Sequence, residues 1–571
     1  LTEINATSLL EDFKSVSNET KISAIKNIRT IILCLGKQRT TNEFIPFLSE
    51  FCDEEDDVVV IELNNQLKTI LEFIGQSGFI HVYELWEKIA FMEEVSIKKN
   101  SVKTFSEIFK ICDHEKFEEN ILKKMNFLLE NKEYYILMNI NPIVIAFLPN
   151  SKERLFGYLK EISLQDDHTC IQDLISLITE YSKLFSIKDI NCILKNMTRQ
   201  TQYDYSIKLN LIKPLSQVML HYKNHSDKND TLTYEEENNN LKDLVLSIIK
   251  QDDVRIKLSA IENSYDFFVL EEDSITHTIF EIINSAIISN QETEQKSLVC
   301  KSLEEIFKGL SFFESSSKSL QKNYIESLIK SLVIVTKEPS PSIRKHFAGS
   351  ILKICPYIKK NILIEQVFPL FLELIKDENF EVRVELLISL PIINQYIPVI
   401  DTFNSIYPQI LELAQCKSWR VRYQMRTLSG IFMNILPEEL LLEKVFSIYL
   451  DWLSDPVYAI RKEGARIVNE YIKKFPACLD KVFWKCGQLK SSQTYLLKVS
   501  LAYFLECLTL DSQNIKIVEN HFIPLVLELA KSNVSNVVIN CEKTIQNLLH
   551  ITKVKDESQF ILSMINKYKN Q

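Results

Sequence analysis

Four arginines, Arg344, Arg383, Arg422 and Arg461, recur at a constant interval of 39 residues. Proline keeps the same step. Pro369 in "FPLFLELIKDENFEVRVELLISL" and Pro408 in "YPQILELAQCKSWRVRYQMRTLSG" each stand 14 residues before an arginine of the series. Near the amino end Pro46 precedes Val60 by 14 residues, and near the other end Pro524 precedes Val538 by 14, so the period runs through the chain. A repeat of this length is one supersecondary unit that can bury its apolar face only against copies of itself, which restricts the chain to a linear stack.

Within a unit the apolar residues fall at helical spacing. Phe368, Phe371, Leu372 and Ile375 form one stripe, and Val382, Leu386, Leu387 and Leu390 form a second after a polar turn. Asp377 and Glu381 stand where the second helix begins, and are expected to cap its free amides and complement its dipole. Glycine and proline agree: 9 Gly and 15 Pro in 571 residues leave little for hairpins or phosphate-cradling loops. The fold class is therefore all-α, a solenoid of antiparallel helix pairs curving into a right-handed superhelix or horseshoe. Counting periods gives about fourteen units plus a last one, "SQFILSMINKYKNQ", that supplies a first helix and no second. The start at Leu1, without Met, is read as a trimmed or incomplete start.

An arginine early in each second helix can reach a carboxylate or carbonyl on the adjacent unit, so Arg344, Arg383, Arg422 and Arg461 are read as a structural ladder. Asp377 and Asp455, six positions before Arg383 and Arg461, are expected partners, with Cys416 interrupting the pattern between them. Trp419 and Arg420 ask for a different explanation, because they precede the repeat's own Val421 and Arg422 in the turn joining two helices. Corresponding turns of a solenoid line one edge, where an indole is either folded onto its own repeat or covered by a partner. The next two turns carry Tyr458 and Tyr495. Three aromatic turns in succession suggest a docking surface.

The strings "KSWRVR", "WLSDPVYAIRKEGARIV", "LIKDENFEVRVELLISL" and "LGKQRTTNEFIPFLSEFCDEEDDVVV" resemble, in collinear order and over nearly the whole chain, the scaffold (A, 65 kDa regulatory) subunits of protein phosphatase 2A, a HEAT-repeat family. The resemblance implies a non-catalytic scaffold within a heterotrimer. It assigns residues 1–320 to a regulatory-subunit-binding half and 321–571 to a catalytic-subunit-binding half. Carried over by position, the catalytic-subunit contacts are Trp419, Arg420, Tyr458, Ala459, Tyr495, Leu496, Val534, Ser535 and Asn536. For a regulatory B-type subunit the contacts are Asp56, Asp57, Glu93, Glu94, Tyr134 and Tyr135, with Asp252 and Asp253 standing where the family has Trp-Arg. Val538 departs from the family's arginine. The polar segment His221 to Asp243, "HYKNHSDKNDTLTYEEENNNLKD", breaks the period and reads as a solvated insertion loop.

Other classes find little support. A formal charge of −10, from 66 Lys plus Arg against 76 Asp plus Glu, repels nucleic acid and anionic membrane. No run of about 18 apolar residues suggests membrane insertion. The 12 cysteines, such as Cys34, Cys355 and Cys507, lie in apolar segments without zinc spacing and read as reduced core thiols, in keeping with a cytoplasmic or nuclear protein. HExxH, GxxxxGK[ST] and GxSxG motifs are absent, and histidines such as His81, His114 and His521 show no ligand spacing, so neither enzymatic activity nor a cofactor is expected. The acidic run Asp53 to Asp57 lacks the alternation and central glycine of a calcium loop and reads as a solvated turn. Two rivals stay open: the HEAT-repeat regulatory subunit of protein phosphatase 4, and a karyopherin-like cargo-binding solenoid.

Overall fold

The computed structural model describes residues 8–548 apart from 166, 201–204, 226–230, 290–291, 317–323 and 510–521. The expected incomplete last unit lies outside the described residues. Among those residues every regular element is helical. The chain divides into two compact units, Leu1–Ile279 and Phe280–Gln571.

In both units helices alternate in pairs, and second helices pack on one another in series. In the first unit Asp57–Ile74 packs on Val95–Phe109, that helix on Tyr134–Phe147, and that one on His168–Ser182. In the second unit the series runs through Thr293–Lys301, Pro341–Ser350, Phe380–Ile388, Trp419–Gln424, Tyr458–Lys474, Tyr495–Thr509 and Ser535–Leu548. A second helix thus has neighbours on three sides, and Tyr458–Lys474 buries Ile460, Ala465, Ile467, Val468, Tyr471 and Ile472 along one broad face. Gly464 permits the closest approach to the first helix of the same pair, since a Cβ there would lie 2.7 Å from Trp452 Cβ.

Several first helices open on a π-helical turn. Pro46 and Pro369 each follow a π-helical turn, Thr40–Phe44 and Leu363–Val367, that widens the backbone ahead of a residue lacking an amide hydrogen.

Between turns the stack is tied by ion pairs. Arg344 Nε and Nη2 donate to the two carboxylate oxygens of Asp377 at 2.7 and 3.0 Å, while its Nη1 donates to the Glu338 carbonyl of its own turn at 2.6 Å. Arg422 does the same to Asp455 at 2.8 and 2.9 Å and to the Cys416 carbonyl at 2.7 Å. Each acid therefore serves the arginine of the preceding repeat, and not Arg383 or Arg461 six residues ahead of it. A carboxylate can accept the bidentate fork across the repeat boundary while its Oδ1 also accepts the amide two residues on, Asn379 or Val457. Where that turn position holds Cys416 or Ser492, the fork has no carboxylate to meet. Arg383 reaches the exposed Glu412 at 2.9 Å instead, Arg461 keeps to its own turn's carbonyls at 2.8 and 2.9 Å, and neither Nε finds an acceptor among the described residues.

Three further expectations are corrected. The helix Phe380–Ile388 is capped by Asn379, whose side chain accepts the Glu381 amide, because Asp377 is committed to Arg344 and Glu381 lies inside the helix beside Lys345. Described residues of the supposed 221–243 loop are helical: Tyr205–His225 and Thr231–Ile249 extend into it. Polar residues there hold helices together, with the Glu237 carbonyl accepting from Asn191 at 2.9 Å, Asn238 donating to Glu272 at 3.3 Å and Lys242 pairing with Glu272 at 2.5 Å. Residues 226–230 lie outside the described residues. Cys34 is exposed rather than buried, unlike Cys300 and Cys486, whose thiols burial pushes up to about 12.

Replacing Asp455 with Ala strands the buried Arg422 guanidinium and should cost about 3 kcal/mol of local stability. Cys416→Asp should gain about 1 kcal/mol by giving Arg383 its carboxylate. Amide-exchange protection of the flanking turns reads both signs. At pH 8 a thiol reagent should modify Cys34 promptly and reach Cys300 and Cys486 only on unfolding, as peptide mass mapping would show.

Candidate functional site

One register recurs in the turns that lead into second helices. In most of them the third helical residue is the first one buried: Val59, Ile97, Ile136 and Ile256 in the first unit, Val382, Val421, Ile460 and Val537 in the second, whereas in Asn18–Lys26 and Tyr495–Thr509 burial begins later, at Ala24 and Ser500. The fourth is the ladder position. The first and second positions come before the side chain that enters the stack, so whatever occupies them is presented at the helix start. In "SWRVR", Trp419 and Arg420 take the presented positions, Val421 the core and Arg422 the ladder. The indole stands outside because the register puts it there.

Trp419, Tyr458, Tyr495 and Ser535 all open second helices of the second unit. Trp419 is 38% exposed, Tyr458 56% and Tyr495 50%. The turns of Trp419 and Tyr458 are clamped together by the Arg422–Asp455 pair, which puts both rings on one edge of that unit. The rings are steadied locally. Arg420 lies over the Trp419 ring at 5.3 Å and Arg461 over Tyr458 at 5.8 Å, each a cation–π contact. Leu496 is exposed and Ala459 half-buried beside their tyrosines; Ser535 and Asn536 are exposed and Val534 half-buried. These nine residues occupy three consecutive turns and the one after them.

The first unit carries its acids one or two residues ahead of that register, apart from Asp57, so the places of Trp419 and Arg420 are taken there by Val254 and Arg255 and not by Asp252 and Asp253. Asp56 holds the N-cap position of Asp57–Ile74 without a side-chain cap bond and accepts a hydrogen bond from the Asn18 amide, with Asp57 exposed beside it. Glu93 and Glu94 are exposed ahead of Val95–Phe109. Tyr134 and Tyr135 are only half-exposed, and burial raises both phenols above their ordinary range. Asp253 caps Val254–Glu262, accepting the Arg255 and Ile256 amides; the Arg255 side chain, with those amides, holds it below the usual carboxylate range. Asp252 is exposed and pairs with Lys257 at 2.7 Å, which lowers it likewise. Two adjacent acids therefore have different jobs, one in the cap and one facing out.

The ladder extends further than the arginine series revealed. Lys21, Lys98 and Lys296 hold the fourth position of their helices and pair with Glu55, Glu133 and Glu338 of the next turn at 2.6, 2.6 and 2.7 Å. Counting four from the first residue of each second helix finds all three. No cluster of three His, Cys, Asp or Glu side chains suited to a metal ion occurs among the described residues. No helix among them is long and apolar enough to cross a membrane.

No family model matches the chain. Over 130 residues it is 27% identical to the protein phosphatase 2A scaffold subunit of Dictyostelium discoideum, a stretch equal to 22% of this chain and 22% of that protein. Over 112 residues it is 30% identical to the A-type regulatory subunit of protein phosphatase PP2A from Schizosaccharomyces pombe, covering 19% of each. The matched stretches span about a fifth of these curated relatives. Among solved structures the chain is similar to Kap121p bound to Ste12p, with a TM-score of 0.52 and 12% identity, covering 99% of this chain and 58% of that one. That likeness bears on fold alone, and the fold is a HEAT-repeat α-solenoid.

Asp253→Ala should remove a cap and lower the local stability of Val254–Glu262 by about 1 kcal/mol. Asp252→Ala should leave exchange protection there nearly unchanged, so that the two substitutions separate architecture from surface charge.

Proposed function

We propose that the chain is the non-catalytic scaffold of a protein phosphatase 2A-type complex. Residues 321–571 hold the catalytic subunit, while residues 1–320 hold a regulatory B-type subunit, in a cytoplasmic or nuclear heterotrimer. The observation that carries the reading is the edge formed by Trp419, Tyr458 and Tyr495: three exposed aromatic residues in one helical register, at consecutive repeats, in a chain similar over part of its length to phosphatase scaffolds. Large aromatic residues left in water at fixed spacing lower free energy only when a partner covers them, and Trp, Tyr and Arg dominate the centres of such interfaces.

The mechanism is organisation. Two proteins held on one stack meet at an effective concentration set by the scaffold rather than by dilution in the cell. Chemistry belongs to the bound hydrolase, and the scaffold supplies position. The acidic turns of the first unit favour a regulatory partner with basic character, and the exposed Asp252 discriminates against an acidic one.

Trp419→Ala should weaken catalytic-subunit binding by about 2 to 4 kcal/mol, roughly 30- to 1000-fold in Kd, with circular dichroism and melting nearly unchanged. Isothermal titration against a phosphatase 2A-type catalytic subunit measures it. Loss of fold with binding intact would make the indole a core residue. Affinity capture followed by mass spectrometry separates this reading from its rivals, since a phosphatase 4 catalytic subunit or Ran in place of a phosphatase 2A subunit would overturn it.

A further inference from the structure

The aromatic edge does not stop at the turn. Trp419 meets Tyr423 edge-on, with ring centroids 6.3 Å apart and planes at 64°. Tyr423 in turn carries Arg426, whose guanidinium lies 4.5 Å from the ring centre and whose Nη1 donates to the phenol oxygen at 2.9 Å. Arg420, Trp419, Tyr423 and Arg426 thus form an unbroken chain of cation, ring, ring and cation, running from the presented turn along Trp419–Gln424 to the start of Arg426–Ile435.

Two guanidinium groups here, Arg420 and Arg426, pair with no carboxylate among the described residues. Three carboxylates of these two repeats serve other arginines: Asp455 takes Arg422, and Glu463 and Glu470 take Arg466 at 2.7 and 3.8 Å. Arg420 and Arg426 rest on aromatic rings instead, at the surface of a protein whose net charge is −10. A guanidinium stacked on a ring is preorganised and, as at Arg426, keeps N–H donors beyond the one given to Tyr423, which suits a carboxylate better than a lysine ammonium would. Arg344 and Arg422 are buried in bidentate pairs; these two are not.

We infer that the docking surface continues from Trp419 through Tyr423 to Arg426 and receives a carboxylate-bearing segment of the catalytic subunit, an acidic stretch laid along this helix. This inference rests on the proposed function and adds to it two binding residues, Tyr423 and Arg426, together with the chemistry of the partner surface they meet. Trp419 supplies apolar burial and Arg426 supplies charge, so the two contributions differ in their response to salt.

The test uses the full chain and a purified phosphatase 2A-type catalytic subunit, with Kd measured at 50 and 300 mM NaCl. Arg426→Glu should raise Kd at least tenfold at low salt and much less at high salt, whereas Trp419→Ala should weaken binding similarly at both. Lys353→Glu, the same charge change at another exposed position, should stay within about twofold of the parent. Unaltered affinity for Arg426→Glu while Trp419→Ala abolishes binding would overturn the inference and leave the proposed function standing. Equal losses for Arg426→Glu and Lys353→Glu would also overturn it, since net charge and not a local contact would then be responsible. No binding by the parent chain would overturn the proposed function and this inference with it.

Discussion

A cation in the fourth position of one helix reaching an acid in the turn of the next is the contact on which the rest of the structure depends. Apolar burial makes repeats adhere, but it is non-directional and tolerates sliding. A bidentate guanidinium–carboxylate pair does not. Arg344 with Asp377 and Arg422 with Asp455 fix which turn faces which, to within the tolerance of two parallel hydrogen bonds. Because the same arginines also bind carbonyls of their own turn, each turn is held from inside and from its neighbour. The presented residues Trp419 and Tyr458 inherit their alignment from that clamp.

The period, the helical pairing and the arginine series were legible because they depend on spacing, which a sequence displays directly. Direction across a repeat boundary was not. Asp377 lies closer in sequence to Arg383 than to Arg344, and only three-dimensional stacking makes the distant arginine the near one. The lysine half of the ladder escaped notice for a chemical reason: Lys21, Lys98 and Lys296 do the arginine's work with a different cation, so a search for one residue type stops where the type changes. The Asn-rich stretch after His221 read as a loop from composition, yet Asn191 and Glu237 show how polar side chains can serve helix contacts when neighbours supply partners.

Register explains why the candidate site was legible in part. "SWRVR" puts a buried valine third and a ladder arginine fourth, which leaves indole and guanidinium outside as a matter of arithmetic. The same arithmetic places Asp57, Val95 and Val254 in the first unit, with Asp56, Glu94 and Asp253 one residue earlier, so the two units share a geometry and differ in what their turns carry: acids just ahead of the helix in one, aromatic rings and guanidinium at its start in the other. Tyr423 and Arg426 were beyond sequence reasoning because their significance lies in which ring each cation covers.

The acceptor position opposite the arginines reads Asp, Cys, Asp, Ser along residues 377, 416, 455 and 492. Stiffness therefore alternates. Joints sealed by a fork are followed by joints where Arg383 and Arg461 hold on by weaker or purely internal ties. A load applied along this part of the array would be taken up unevenly, with give concentrated at every second joint, much as a folding rule bends at its rivets and not along its blades.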